Sequence, residues 1–211
     1  MDRRKQIDTF SRYTQVSRET ITSLMKYEEL LIKNNKTFNL IGNSTINEIW
    51  YRHFLDSSQV IDFIDKNKKT LVDLGSGAGF PGLVLSIIAK ERKIPLKIKL
   101  IEKSKRKINF LKEIISKLKL NADAINQNVE DEKFNFIDDT FVARAFKPLP
   151  KVLELIHNKA KNLKKVIIFL GKTGQSSLHQ ASKNCDNQYK QRMSVTSSDS
   201  FIIEINKLIK K

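Results

Sequence analysis

With 211 residues, 40% of them apolar and 29% charged, the chain can bury a core without staples and is short enough to be one domain, or one domain with an extension. One cysteine, Cys185, excludes an intramolecular disulfide and a cysteine-rich metal site, no metal is expected, and the lack of any run of 18 apolar residues excludes a transmembrane helix. The 39 Lys and Arg against 23 Asp and Glu give a net charge of +16, which fits a polyanionic partner, most simply a nucleic acid, or else a compositional drift toward lysine, since only 9 of the 39 are Arg.

The first residues are polar and contain no apolar signal segment, so a cytoplasmic location is expected. Residues 1–65 read as a helical extension. Ser17 is placed to cap a helix in which Ile21, Leu24, Met25, Leu31 and Ile32 share a face. Ser44 is placed to cap a second one, with Ile46, Ile49, Trp50, His53, Phe54 and Ser57 on one side; Trp50 and Phe54 read as core. From 66 to 211 the pattern changes to that of an α/β domain. Strands at 71–74, 97–102, 123–126, 140–143 and 165–170 alternate with helical patterns at 81–92, 104–118 and 149–163. That order predicts a parallel sheet with helices on both faces. Residues 90–119 are the densest positive stretch, with 12 basic and 3 acidic residues. After Gly174 a polar loop is expected, leading to a closing antiparallel hairpin at 189–195 and 201–206, for seven strands in all.

The strongest motif joins the first strand to its helix: Val72-Asp73-Leu74-Gly75-Ser76-Gly77-Ala78-Gly79-Phe80-Pro81-Gly82. Glycines let a backbone approach a ligand closely, and ligands of open parallel sheets bind beyond the carboxyl ends of the strands. A P-loop would need Gly-Lys-Ser/Thr, which is absent; the dinucleotide fingerprint would need glycine where Phe80 stands. Asp73 is unfavourable beside a pyrophosphate and suits the ammonium group of an amino acid. Glu102, ending the second strand, is placed to take two ribose hydroxyls. Asp73, Gly75, Gly77, Gly79 and Glu102 together suit S-adenosylmethionine.

Further segments make the chain resemble a known family. They are Phe38-Asn39-Leu40-Ile41, Arg52-His53-Phe54-Leu55-Asp56-Ser57, the loop at 73–82, Ile101-Glu102-Lys103-Ser104-Lys105-Arg106-Lys107 with Phe110-Leu111, Ala143-Arg144-Ala145-Phe146, and Gly171-Lys172. The sequence resembles the small-subunit ribosomal RNA guanine-N7 methyltransferases, also called glucose-inhibited division protein B; the last 35 residues match only weakly. The resemblance implies a Rossmann-like S-adenosylmethionine-dependent methyltransferase fold with an N-terminal helical extension. It implies methyl transfer to guanine N7 in the 530 loop of 16S ribosomal RNA, on free RNA or a small-subunit particle. A monomer without membrane association is expected. The resemblance also implies that Gly75 and Phe80 contact the cofactor, that Val129 and Glu130 lie against its adenine, and that Arg144 lies near the methionine end and the target base. Asn128 stands where the family often has Ala or Arg.

Guanine N7 offers a lone pair and no proton, so alignment rather than a general base is the expected contribution, with Arg144 as the positioning residue. Arg52, His53, Arg106, Lys107 and Lys172 are candidate RNA contacts; for His53 and Asp56, three apart on a helix, packing the extension onto the sheet is the competing reading. Two other functions fit less of the chain: a methyltransferase with another RNA, a protein or a small-molecule acceptor, and a non-catalytic RNA-binding assembly factor. The basic surface disfavours the small molecule, and the intact loop disfavours the assembly factor.

Overall fold

A computed structural model describes every residue except Lys66, Lys68 and Lys211, with backbone only for 182–187 and 207–210. Seven strands form one sheet in the order β3-β2-β1-β4-β5-β7-β6. They are β1 (Thr70–Leu74), β2 (Lys97–Glu102), β3 (Ala122–Asn126), β4 (Thr140–Arg144), β5 (Lys165–Leu170), β6 (Cys185–Met193) and β7 (Phe201–Lys210). The first five are parallel; β7 is antiparallel to β5 and to β6. The chain order reverses direction between β1 and β4, and a crevice is expected there. β1 and β5 are nearly continuous apolar runs, as strands covered on both faces must be.

Ahead of the sheet lie α1 (Arg3–Thr14) and α2 (Arg18–Asn35), the second capped by Ser17, whose hydroxyl accepts from the Thr20 amide. Leu24 and Leu31 of the expected face are buried, whereas Met25 points outward. The second expected helix is not a regular one. It is a 3-10 turn (Asn43–Glu48), a π-helical stretch (Ile49–Leu55), one α turn, α3 (Asp56–Ser58), and another 3-10 turn (Gln59–Phe63). Ser44 caps nothing; Gly42 occupies the cap position without a side-chain bond. The irregular winding buries His53, Phe54, Leu55, Ser57, Ser58 and Gln59 together, more residues than one stripe of an α-helix could face inward.

The remaining helices are α4 (Gly82–Glu91), α5 (Lys105–Leu118), α6 (Leu149–Lys159) and α7 (Gly174–Asn184). The α6 pattern ends earlier than expected because Ala160 turns extended and bridges to Phe136. Where a polar loop was expected after Gly174, α7 forms; Leu178 and Ala181 are buried against the sheet. Each face of the sheet has its own apolar cluster. On one, Phe10, Leu24, Tyr27, Trp50 and Phe54 of the first 65 residues pack with Phe80, Leu83 and Phe110. On the other, α6 and α7 cover Val72, Phe141, Ile168 and Ile203. Trp50 and Phe54 meet edge to face at 5.0 Å and are buried; truncating either to Ala would cost roughly 3–5 kcal/mol. The expected division at 65/66 falls beside Lys66, outside the described residues.

Candidate active site

The loop after β1 is folded by its glycines. Gly75, Gly77 and Gly79 have φ of 68°, 57° and 101°, values that side chains rarely adopt. Ser76 accepts backbone bonds from Gly79 and Phe80, and its hydroxyl donates to the Asp73 carbonyl at 3.0 Å. Tyr27 of α2 reaches across to donate to the Ala78 carbonyl at 2.5 Å. The loop is thus clamped from the extension as well as from the sheet.

Beyond the carboxyl ends of β1, β2 and β4 this loop borders a cavity of about 420 Å³. One end is formed by Gln127, Asn128, Val129 and Glu130, the middle by Glu102 and the loop at 75–78, and the other end by Leu40, Ile41, His53, Phe80 and Arg144. Glu102 is held in place: its Oε2 accepts from the Gly77 amide at 3.1 Å and its Oε1 from the Ser104 amide at 2.8 Å. Lys147 spans to Glu130 at 2.8 Å, which lowers the Glu130 pKa. A bare, positive-φ loop facing an elongated cavity with a fixed carboxylate midway fits S-adenosylmethionine, whose ribose needs acceptors and whose methionine arm needs close backbone.

Two residues expected at the cofactor, Asp73 and Gly79, are not among those that line this cavity. Asp73 is fully buried beneath the loop, with Oδ2 accepting from the Gly82 amide at 2.9 Å and Oδ1 unpartnered. Burial pushes its carboxyl up to about 7. Alternation along β1 turns it toward α4, so it anchors the helix start and does not line the cavity. Gly79 also faces inward: a Cβ there would lie 2.4 Å from Leu83 and 2.8 Å from the Tyr27 hydroxyl. Gly75 is different again. A Cβ there would strike the Phe146 ring at 2.2 Å, so its bareness serves the protein's own packing at the cavity wall.

Arg144, at the end of β4, is the centre of the far end. Its Nη1 lies 3.2 Å from Asp56 Oδ2 and donates to the Ser57 hydroxyl at 3.3 Å. Its Nη2 lies 2.6 Å from His53 Nδ1. Arginine only donates, so Nδ1 is the acceptor and Nε2 carries the proton, given to Thr45 Oγ1 at 2.9 Å. Burial, then Arg144 and Arg52, take the His53 pKa down to about 3, and the imidazole is neutral. His53 stacks on Phe80 at 4.8 Å and 15°, and the guanidinium sits 5.5 Å from the same ring. The Arg144 partners are therefore Asp56, Ser57 and His53. Asp56 is itself fixed: Oδ1 accepts from Gln59, Ser194 and Thr196, at 3.2, 3.2 and 2.8 Å.

Of the candidate RNA contacts, His53 and Lys107 line the cavity. Arg52, Arg106 and Lys172 are exposed and outside it, Arg52 pairing with Glu48 at 3.5 Å. Leu40 and Ile41 belong to a segment that carries the family resemblance but was given no site role, and they line the cavity. Both amides donate to Asn35 Oδ1, at 2.7 and 2.9 Å, which folds that turn over the cavity.

The family described as "GidB: rRNA small subunit methyltransferase G" matches residues 20–204. The chain belongs to this family. A curated member from Pelagibacter ubique, "Ribosomal RNA small subunit methyltransferase G", is 39% identical over 93% of this chain and 92% of its own length. One of the same description from Rickettsia akari is 36% identical over 93% and 98%. Among solved structures, M. capricolum TrmK in complex with S-adenosyl-homocysteine superimposes with a TM-score of 0.53 at 18% identity, covering 72% of this chain and 67% of that one. The 16S rRNA methylase RmtB gives 0.53 at 13%, covering 91% and 76%. These likenesses establish the methyltransferase fold, and the family membership makes the chain an S-adenosylmethionine-dependent small-subunit rRNA methyltransferase.

Proposed function

We propose that this chain methylates N7 of a guanine in the 530 loop of 16S ribosomal RNA, as a cytoplasmic monomer acting on the RNA or on a small-subunit particle. The observation that carries this reading is the character of the cavity end around Arg144. His53 is neutral and its accepting nitrogen is engaged by Arg144; its other neighbours there, Leu40, Ile41 and Phe80, are apolar. Such an end offers no free proton acceptor, and an in-plane nitrogen lone pair requires none. Held by the loop at 75–80 and by Glu102, S-adenosylmethionine would supply an electrophilic methyl to the N7 lone pair, a transfer that asks no proton acceptor of the chain.

In this reading Gly75, Gly77 and Phe80 bed the methionine end, Glu102 takes the ribose hydroxyls, and Asn128, Val129 and Glu130 border the adenine. Asp56 offsets the charge of Arg144, and neutral His53 adds none, so the cavity end does not oppose a cationic ligand. Asp73 and Gly79 act from behind, by holding α4 and the loop. Arg52, Arg106, Lys107 and Lys172 are left to meet RNA phosphates.

The test maps N7-methylguanine by borohydride–aniline cleavage of 16S rRNA from cells lacking the gene, complemented with the parent chain or with Arg144→Ala. Loss of one cleavage site in the 530 loop, restored by the parent alone, is expected. An identical cleavage pattern with and without the gene would overturn the assignment.

A further inference from the structure

Tyr27 is fully buried on α2 among rings: it stacks on Phe80 at 5.6 Å and 26°, tilts against Phe54 at 5.4 Å and lies 6.4 Å from Phe110. A phenylalanine would fill that space and carry no polar atom into it. Burying a hydroxyl costs free energy unless the group is hydrogen-bonded. Its partner is the Ala78 carbonyl, 51 residues along the chain. Burial holds the phenol well above its ordinary value of 10, so the group stays a donor. The hydroxyl therefore answers to the glycine loop and not to the packing of α2.

The loop is built around that contact. On one side it is tied to β2, where the Ser76 amide donates to the Ile101 carbonyl and the Gly77 amide to Glu102. On the other it is tied to α2 by Tyr27. Gly79, next to the bonded carbonyl, has φ of 101°, and a Cβ there would come within 2.8 Å of the hydroxyl. A side chain at 79 would push the hydroxyl off Ala78, so the two positions fit each other. Three positive-φ glycines in five residues leave the segment many conformations to lose, and ties on both sides select one of them. Ala78 and Phe80 line the cofactor cavity, and Tyr27 does not.

We propose that Tyr27 is a positioning residue for S-adenosylmethionine: without touching the cofactor, its hydroxyl holds the loop at 76–80 in the binding form, so that the N-terminal extension sets cofactor affinity. The proposal rests on the placement of the cofactor in the cavity beside that loop. Apparent affinity falls in proportion to the fraction of molecules whose loop is in the binding form. Losing one hydrogen bond, with a buried carbonyl left unpaired, lowers that fraction about tenfold. The effect falls on binding and not on the chemical step, because a saturating cofactor restores the loop.

The test removes the hydroxyl alone. Tyr27→Phe is compared with the parent chain for amide exchange at Gly79 and Phe80 without cofactor, for S-adenosyl-homocysteine affinity by calorimetry, and for single-turnover methylation of 16S rRNA at saturating cofactor. Exchange is expected to quicken and the Kd to rise, each about tenfold, with the saturated rate at the parental value. Leu31→Val, which trims the buried face of the same helix, is the control: the thermal midpoint should fall and the Kd stay parental. A parental Kd in Tyr27→Phe, or equal weakening in Leu31→Val, would mean that Tyr27 only packs the core and would overturn the proposal. A raised Kd with unchanged exchange would overturn it as well, since the loop would not be the intermediary. Gly77→Val adds a side chain at the cavity wall and tests the placement separately. Parental affinity there would overturn the cofactor site itself, before the role of Tyr27 is in question.

Discussion

Replacing Asp73 with Asn isolates one proton that the folded and unfolded chains hold differently. The buried carboxyl titrates at about 7 in the fold, against an ordinary value of 3.8, with burial the largest cause. Between those values the unfolded chain is ionised at Asp73 and the folded chain is not. The fold therefore binds the extra proton, and its stability falls as pH rises through the window. One proton corresponds to about 1.36 kcal/mol per pH unit, or roughly 4 kcal/mol across the whole window. His53 acts in the opposite sense. Its pKa drops from 6.5 to about 3 on folding, so the unfolded chain binds the extra proton and stability is lost as pH falls below 6.5. The two slopes oppose each other over most of the same range. Asp73→Asn keeps an acceptor for the Gly82 amide and removes one slope only. In urea unfolding at pH 4.5 and 6.5, the variant should gain roughly 2–3 kcal/mol more than the parent between the two conditions. His53→Gln should shift the balance the other way by a similar amount. Equal pH slopes for parent and Asp73→Asn would refute the placement of a neutral carboxyl beneath the loop.

Arg144→Ala should lower the single-turnover methylation rate by roughly 2–4 kcal/mol in barrier terms, as for loss of one preorganised electrostatic group. Arg144→Lys should also be impaired, because a point charge cannot meet Asp56, Ser57 and His53 in one plane; a Lys variant at the parental rate would show that charge alone suffices. RNA affinity should fall steeply between 50 and 200 mM salt through counterion release, while cofactor affinity stays nearly flat. A flat salt response for RNA would mean that the +16 charge reflects lysine-rich composition and not an RNA surface.

The sheet was legible because its strands are apolar runs bounded by turn residues, and the loop at 75–79 because its glycines have few other uses. The helix α7 was not. Among its described residues the apolar side chains carried inward are Leu178 and Ala181, too few for periodicity to stand out. The segment at 43–63 was legible as helical and buried, but four successive windings cannot be read from spacing, since each changes which residues face the core. Asp73 and Gly79 were read as cofactor residues from their place in the glycine motif. Which side of the loop each faces is decided by β1 alternation, by α4 and by Tyr27, and Tyr27 is far away in sequence. The same holds for Arg144: its chemistry was legible and its partners were not, because Asp56, Ser57 and His53 reach it only through the tertiary fold.

That dependence bears on what residues 1–65 are for. Tyr27 bonds the loop at Ala78, Asn35 folds Leu40 and Ile41 over the cavity, and His53, Asp56 and Ser57 hold the guanidinium. From the other end of the chain, Ser194 and Thr196 steady Asp56, and the Val195 amide donates to Gln59 at 2.9 Å. Arg144 is thus fixed by two segments that flank the parallel strands, and the strands alone supply none of its partners. An arginine at a strand end left without them would lose its acceptors and sample several rotamers, at a cost in side-chain entropy on each turnover. We therefore read the N-terminal helices and the hairpin loop as parts of one catalytic unit with the sheet. Deleting the hydroxyls of Ser194 and Thr196 together should reduce the methylation rate through Asp56 while leaving the cofactor cavity, on the opposite side of Arg144, with its parental affinity.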